Sequence, residues 1–77
     1  MRVSCDVADP GFRPDAWRFA VKLNSSPVSD WQTADEERCV LIVFRRHPNG
    51  DVELDEKGHP RTRLVHGIVT ITELEQV

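Results

Sequence analysis

Residues 38–51 read RCVLIVFRRHPNGD, and this stretch carries the clearest fold signal in the chain. The run Val40–Phe44 is built from β-branched, aliphatic and aromatic residues, which is typical of a strand with both faces at least partly covered. Pro48-Asn49-Gly50 then combines a residue without a backbone donor with a pair that accepts positive φ angles. The stretch therefore predicts the strongest strand of the chain, over 38–46, and a hairpin turn over 47–51.

Two segments before this strand alternate between apolar and polar residues, which is the period of a half-buried strand. One is Met1–Val7, and the other is Trp17–Leu23, in which the odd-numbered residues are all apolar. Asp9-Pro10-Gly11 breaks the chain between them, and the composition of 24–27 predicts a turn after the second. For Val28–Thr33 we leave open a short strand with Val28 and Trp31 facing inward.

The segment after that is polar and carries the spacing Thr33-x-x-Glu36, which fits a helix capping box. We therefore expect 34–37 to form a polar turn or one helical turn capped by Thr33. Beyond the hairpin, Val52 and Leu54 alternate with acidic residues, and this pattern predicts a short polar strand.

A second turn, over 56–60, follows that polar strand. The last predicted strand is 61–72, with a bulge at Gly67 that restores the apolar phase. The tail, 72–77, is expected to form a short helical turn or to fray.

Together these patterns predict one small, soluble, all-β domain over 1–77, or a β domain with one short helical turn. The expected architecture is an antiparallel meander of four to six strands, arranged as a curled sheet or a small barrel. A chain this short has a thin core. We place the aromatic side chains in that core, with one tryptophan as an alternative interface anchor: Phe12, Trp17, Phe19, Trp31 and Phe44.

The charges of the chain are unevenly distributed. The net charge of −3 argues against bulk nucleic-acid binding. Residues 24–37 contain acids and no base, whereas 57–66 contain bases and no acid. These are either solvated faces or a polar contact surface. If the hairpin forms as predicted, Arg45 and Arg46 lie close to Asp51 and Glu53. The candidate interaction residues are Trp31, Asp35, Glu36, Glu37, Arg45, Arg46, Lys57, Arg61 and Arg63.

No pattern in the chain indicates catalysis or a cofactor. The serines lie outside any nucleophile elbow, and the glycines are isolated, so no phosphate-binding loop is formed. Cys5 and Cys39 have apolar neighbours, so we favour buried free thiols over a single disulfide, which stays open. The residues that could ligate a metal lack the close spacing of structural zinc sites: Cys5, Cys39, His47, His59 and His66. We therefore expect a non-enzymatic protein without cofactor.

The N-terminal segment lacks the apolar region of a signal peptide, since Asp6 and Asp9 interrupt it. The longest apolar run, Cys39–Phe44, is far shorter than a membrane span. We expect no membrane association, and location in a host cytoplasm or in a virion.

From Val28 onward the order of features resembles small uncharacterised proteins encoded by tailed phages and prophages. The matching pieces are a T-A-D-E-E turn at 33–37, an apolar strand ending in basic residues at 40–46, the Asn-Gly-Asp hairpin at 49–51 and a Gly-x-Val-x-Ile strand at 67–71. The resemblance covers about two thirds of the chain and carries no catalytic residues. It implies a phage-type protein, and the free edges and uneven charges of a small β meander favour action through contacts with other proteins.

Our leading hypothesis is a small virion or assembly component that binds a protein partner. The alternative is a phage inhibitor that binds a host protein such as a defence nuclease complex, with Asp35–Glu37 facing a basic groove. A metal-stabilised binding domain is the third hypothesis. The partner is thus a viral or a host protein, and a homo-oligomer stays open.

Overall fold

The structure of the protein is a computed structural model that describes residues 1–74. It contains seven short strands and one turn of 3-10 helix, Ala16–Arg18. The strands are β1 Arg2–Ser4, β2 Phe19–Leu23, β3 Ser26–Val28, β4 Trp31–Asp35, β5 Val40–Phe44, β6 Thr62–His66 and β7 Val69–Glu73. The predicted all-β fold class is therefore confirmed.

The strands form two antiparallel sheets, and neither closes into a barrel within residues 1–74. One sheet has the order β1-β4-β5-β6, and the other has the order β3-β2-β7. Only β4, β5 and β6 follow one another as in a meander, because the partner of β1 is β4 and the partner of β7 is β2. These two pairings join segments distant in sequence, which local patterns do not reveal.

The core lies between the two sheets and is small, as expected for this length. Its buried apolar members come from both sheets and from the 3-10 turn: Val3, Ala16, Phe19, Val21, Ala34, Leu41 and Val69. Trp31 and Val43 are half-buried and pack against this cluster. Every residue of β5 is at least partly buried, which confirms the prediction that both faces of this strand are covered.

The prediction that all five aromatic residues belong to the core was wrong for two of them. Trp17 is 72% exposed because it lies in the 3-10 turn, and the strand with alternating faces begins only at Phe19. Phe12 is also exposed, since it lies in the loop that follows β1. Phe19 is buried, whereas Trp31 and Phe44 are half-buried.

The predicted turns are built by residues with positive φ angles. The loop between β2 and β3 consists of Asn24 and Ser25, with φ of 50° and 71°, which is typical of a two-residue type I′ hairpin. Between β5 and β6 two tight turns follow one another. Gly50 donates to the carbonyl of His47 at 2.9 Å, and Gly58 donates to that of Asp55 at 3.0 Å, each glycine with a positive φ.

The hairpin predicted over 47–51 is thus confirmed, and so is the second turn. The polar strand predicted after the hairpin is reduced to isolated bridges, from Arg46 to Val52 and from Leu54 to Pro60. We call residues 45–61 the double-hairpin arm. Its turns are closed by local hydrogen bonds, since Asn49 accepts from Asp51 N–H and Asp55 accepts from two backbone N–H groups.

Several predicted boundaries were wrong. The strand expected over 1–7 ends at Ser4, because Asp6 starts a turn in which its carboxylate accepts from the N–H of Ala8. The segment 28–33, for which a short strand was left open as a prediction, is divided between two sheets, with Val28 in β3 and Trp31 in β4.

Ala34 and Asp35, expected to open a polar or helical turn over 34–37, instead belong to β4. Thr33 is no helix cap, since its hydroxyl lies 2.7 Å from that of buried Ser4. The two hydroxyls satisfy each other inside the fold.

The last predicted strand, 61–72, is two strands that belong to different sheets. β6 ends at His66, and β7 begins at Val69 in the other sheet. A Cβ atom on Gly67 would lie 2.7 Å from a methyl carbon of Leu23 and 3.0 Å from the Asn24 amide oxygen. A side chain at residue 67 would therefore require the side chains of Leu23 and Asn24 to move. Of the tail predicted over 72–77, Thr72 and Glu73 are strand residues in the structure, and 75–77 lie outside the described residues.

Candidate functional site

The edges of the two sheets show where another protein chain could bind. An edge strand exposes unpaired backbone groups, and proteins commonly block such edges. At β1 the edge is covered by the following loop. Ser4 donates to the carbonyl of Gly11, and Arg13 donates to the carbonyl of Ser4, both at 3.0 Å.

Two further edges are also blocked. β3 is only three residues long and has Pro27, which has no backbone donor, at its centre. Along β7, the backbone N–H of Ile71 donates to Oε2 of Glu36 at 3.0 Å. The carboxylate of Glu36 thus occupies the place that a further strand would take.

The edge of β6 is different, because within residues 1–74 no strand, loop or side chain pairs with it. The backbone of Arg61 bonds to that of Arg45, and Gly67 donates to Cys39. Backbone groups alternate in direction along an antiparallel strand. Arg63 and Val65 are odd-numbered like the anchors Arg61 and Gly67, so their backbone groups face β5. The backbone groups of Thr62, Leu64 and His66 therefore face outward.

Along this open edge the side chains of Thr62, Leu64 and His66 lie on one face of the sheet, and those of Arg63 and Val65 lie on the other. Leu64 is 55% exposed and lies opposite Ile42 of β5. On the other face, Arg63 lies opposite Val43, and no acidic partner approaches it within the described part of the chain. We call the outward backbone of β6 together with these two faces the β6 edge.

The arginines predicted as interaction residues lie next to the β6 edge. Arg45 and Arg61 share one acidic partner, since their Nε atoms lie 3.5 and 4.0 Å from the two oxygens of Glu53. The prediction that Arg45 lies near Glu53 is thus confirmed. Arg46 instead binds Asp30 through two hydrogen bonds of 2.9 Å, and this contact lowers the pKa of the Asp30 carboxyl.

Lys57 lies at the second turn of the double-hairpin arm and is exposed. Its backbone N–H donates to the Asp55 carboxylate at 2.9 Å. The pKa of Asp55 is lowered by hydrogen bonds from the backbone of His59 and Lys57 and by the charges of His59 and Arg61. Lys57 thus adds positive charge at the tip of the arm without holding the fold.

The acidic residues predicted as a contact surface are mostly used inside the fold. Asp35 is buried and accepts from the backbone N–H of Arg38 at 3.0 Å and from the Arg2 guanidinium at 3.2 Å. These contacts lower the pKa of Asp35, the backbone bond most strongly. Glu36 holds the β7 edge, so only Glu37, with its side chain 86% exposed, is available to a partner.

A groove beside β2 and β3 is the second candidate surface, and the sequence did not indicate it. Its volume is about 470 Å³, and exposed Trp17 and half-buried Trp31 lie in its wall together with Phe19, Val28 and Leu74. Trp31 thus lies in the wall of this groove, and within its own sheet it lies opposite Val43, which in turn lies opposite Arg63. Trp17 is exposed because it lies in the 3-10 turn. The pair Pro14-Asp15 before that turn was the feature of the sequence that could have indicated it.

The residues considered for metal binding are not brought together. Across residues 1–74 no three His, Cys, Asp or Glu side chains form a cluster that could hold a metal ion. Cys5 and Cys39 are both free and exposed, so the expectation of buried thiols was wrong. Cys39 lies in the tight turn before β5 with a φ of 56°, which carries its side chain away from the core. In the same described range, no helix has the length and apolarity needed to cross a bilayer.

Comparison of the chain with protein-family models, with curated proteins and with solved structures found no match.

Proposed function

We propose that the protein is a non-enzymatic, phage-type binding protein, a small virion or assembly component that acts through protein–protein contacts. The observation that carries the proposal is the β6 edge. Three of the four sheet edges are blocked by a loop, a proline and a carboxylate, whereas β6 presents outward-facing backbone groups. An extended segment of a partner can extend such a sheet by one strand, with affinity from backbone hydrogen bonds.

The phage assignment is supported by the resemblance of the T-A-D-E-E turn, the Asn-Gly-Asp hairpin and the Gly-x-Val-x-Ile strand to small tailed-phage proteins. Binding of a host protein is the alternative. In that alternative the acidic contact is reduced to Glu37, because Asp35 and Glu36 have partners inside the fold. A charge reversal at Glu36 would therefore test folding and not binding, and Glu37→Lys is the informative variant.

The test uses a variant that changes the β6 edge without removing an internal hydrogen bond. Thr62 is exposed, is the first residue of β6 and has its N–H facing outward. Proline is tolerated at the first position of a strand, so Thr62→Pro removes an outward donor at low cost to the fold. Thr62→Ala keeps the N–H and is the matched control.

The tagged chain and both variants are expressed in the phage-producing host, and particles are purified on a density gradient. We expect the protein and Thr62→Ala in stoichiometric amounts in the particles or their assembly intermediates, and Thr62→Pro depleted at least tenfold. Absence of the unmodified protein from both contradicts the assembly role. Equal incorporation of Thr62→Pro contradicts the use of the β6 edge.

A further inference from the structure

We infer that the β6 edge binds an extended partner segment in which acidic residues alternate with apolar ones. The inference rests on the proposed function and adds the chemistry of the partner. An added strand places its side chains alternately on the two faces of the sheet, next to the side chains of β6. The two faces of β6 therefore specify what the two sets of partner side chains must be.

The first face of the β6 edge is basic and incompletely neutralised. Arg45, Arg61 and Arg63 lie along it in neighbouring register positions, and Glu53 is their only acidic partner within residues 1–74. Arg63 has no such partner and lies in the middle of β6, directly beside the position of an added strand. A carboxylate on that strand would lie opposite it, at the distance of a cross-strand pair.

The second face carries one apolar side chain of β6, Leu64, which lies between Thr62 and His66. Leu64 is 55% exposed, and the residues of β5 on that face, Val40, Ile42 and Phe44, are only partly buried. A leucine, isoleucine or valine of the partner, placed beside Leu64, would continue this row and remove it from water. A segment of alternating glutamate and aliphatic residues fits both faces at once.

A second copy of this chain fits the β6 edge less well. Pairing of β6 with β6 of another copy, centred on Leu64, would match the apolar faces. In this antiparallel register Arg63 lies opposite Val65 of the second copy and diagonal to the second copy's Arg63, and no acidic residue is supplied because β6 has none. Like charges close together across strands are destabilising. The charge of the β6 edge therefore favours an acidic partner over self-association.

Synthetic peptides test this inference without knowledge of the natural partner. The peptide Thr-Glu-Val-Glu-Ile-Glu-Thr, blocked at both ends, is compared with the same peptide carrying lysine for glutamate and with a peptide of identical composition in scrambled order. Binding is followed by amide chemical shifts and by titration at low and at high salt. We expect the alternating acidic peptide to bind about tenfold more tightly than either control, with affinity that falls as salt rises.

Variants of the protein locate the contact. Arg63→Glu should reverse the preference between the acidic and the lysine peptide, and it should leave the fold intact because Arg63 has no ion pair within the described residues. Thr62→Pro should abolish binding of the acidic peptide, and Thr62→Ala should not. Shifts should be confined to β6 and the neighbouring residues of the double-hairpin arm.

Failure of this inference is distinguishable from failure of the proposed function. Equal binding of acidic and lysine peptides, or no binding of any peptide at millimolar concentration, overturns the acidic partner, while the particle experiment with Thr62→Pro can still support the β6 edge. Dimers of the chain that dissociate on Thr62→Pro, measured by sedimentation, would make a second copy the occupant and also overturn it. Absence of the unmodified protein from particles and assembly intermediates overturns the proposed function itself, and unchanged incorporation of Thr62→Pro overturns the use of the β6 edge.

Discussion

At the scale of single residues, the fold depends on polar side chains that are buried in pairs. Ser4 and Thr33 lie on neighbouring strands with their hydroxyl oxygens 2.7 Å apart, and both are almost fully buried. Ser4 Oγ also accepts from the N–H of Asp6, so it connects the β1–β4 pair to the following loop. A buried polar atom that loses its partner costs more than the bond itself contributed.

Replacement of either hydroxyl removes the same hydrogen bond, so the effects of the two replacements should not simply add. We expect Thr33→Val to lower the free energy of unfolding by about 1–2 kcal/mol, because the buried bond between the two hydroxyls is lost and Ser4 Oγ keeps only the bond from Asp6 N–H. In Ser4→Ala/Thr33→Val the loss should be smaller than the sum of the two single variants. Urea unfolding of the four proteins measures this coupling, and strictly additive losses would argue against the pair.

Glu36 shows how one side chain can serve the fold when the sequence suggests a contact surface. Its carboxylate accepts from Ile71 N–H and lies 3.7 Å from the amino group of Met1. Neighbouring Glu37 points into solvent apart from its own contact with that amino group. The two residues are adjacent and chemically alike, and only their position relative to β7 separates their roles.

At the scale of elements, the corner between β6 and β7 transfers the chain from one sheet to the other. Gly67 donates to the carbonyl of Cys39, and Asn24 bonds to Ile68 both through its backbone and through its side chain. The corner is thus held from two sides and packed against the end of β2. A side chain at residue 67 would displace the ends of the Leu23 and Asn24 side chains.

Gly67→Ala should lower the free energy of unfolding by about 1–3 kcal/mol, as overpacking does. The added Cβ would meet the Leu23 methyl carbon at 2.7 Å, so Leu23 or the corner must shift. Leu23→Val shortens that side chain, and Gly67→Ala should cost less in that background than in the unmodified protein. Thermal unfolding of the four proteins checks this, and an equal cost in both backgrounds would refute the steric explanation.

The β6 edge makes a second prediction at this scale. In the free protein, the amides of Thr62, Leu64 and His66 face outward and should exchange with solvent at least tenfold faster than those of Arg63 and Val65, which face β5. Hydrogen exchange followed by NMR resolves the alternation residue by residue. Uniform protection along β6 at low protein concentration would mean that this edge is already covered.

At the scale of the whole molecule, the N-terminal segment is held to the rest by ion pairs. Arg2 donates to Asp9 at 2.6 and 2.9 Å and to Asp35 at 3.2 Å, so one guanidinium joins β1, its following loop and β4. The hydrogen bond from Arg2 is the main reason that the pKa of Asp9 lies below its ordinary value. The pKa of Asp35 is lowered as well, first by the backbone of Arg38.

These shifts predict how stability depends on pH. A carboxyl with a lowered pKa binds fewer protons when folded than when unfolded, so its contribution is complete above its ordinary pKa of about 4 and is lost as pH falls further. The urea midpoint should therefore drop between about pH 4 and pH 2. Asp9→Asn should lower the midpoint at pH 7 and flatten the acid dependence. A midpoint that is unchanged between pH 5 and pH 2 would contradict this assignment.

The sequence by itself determined the local features of this protein. The β-prone run Val40–Phe44 became a strand covered on both faces, and Asn49-Gly50 became a turn, because strand propensity and positive φ depend on the residue and its nearest neighbours. The basic residues that accompany β6 were also found from composition alone. Local chemistry was sufficient wherever a feature depends on a few consecutive residues.

Only the tertiary structure decided which strands pair and which charges are free. Periodicity cannot distinguish one long strand with a bulge from β6 and β7 in different sheets, because both give the same alternation. It also cannot show that Asp35 and Glu36 are used internally, since their partners Arg2 and Ile71 lie more than thirty residues away. The open edge of β6 is likewise a property of the whole arrangement, because the pairing of all the other strands decides which strand lies at an edge.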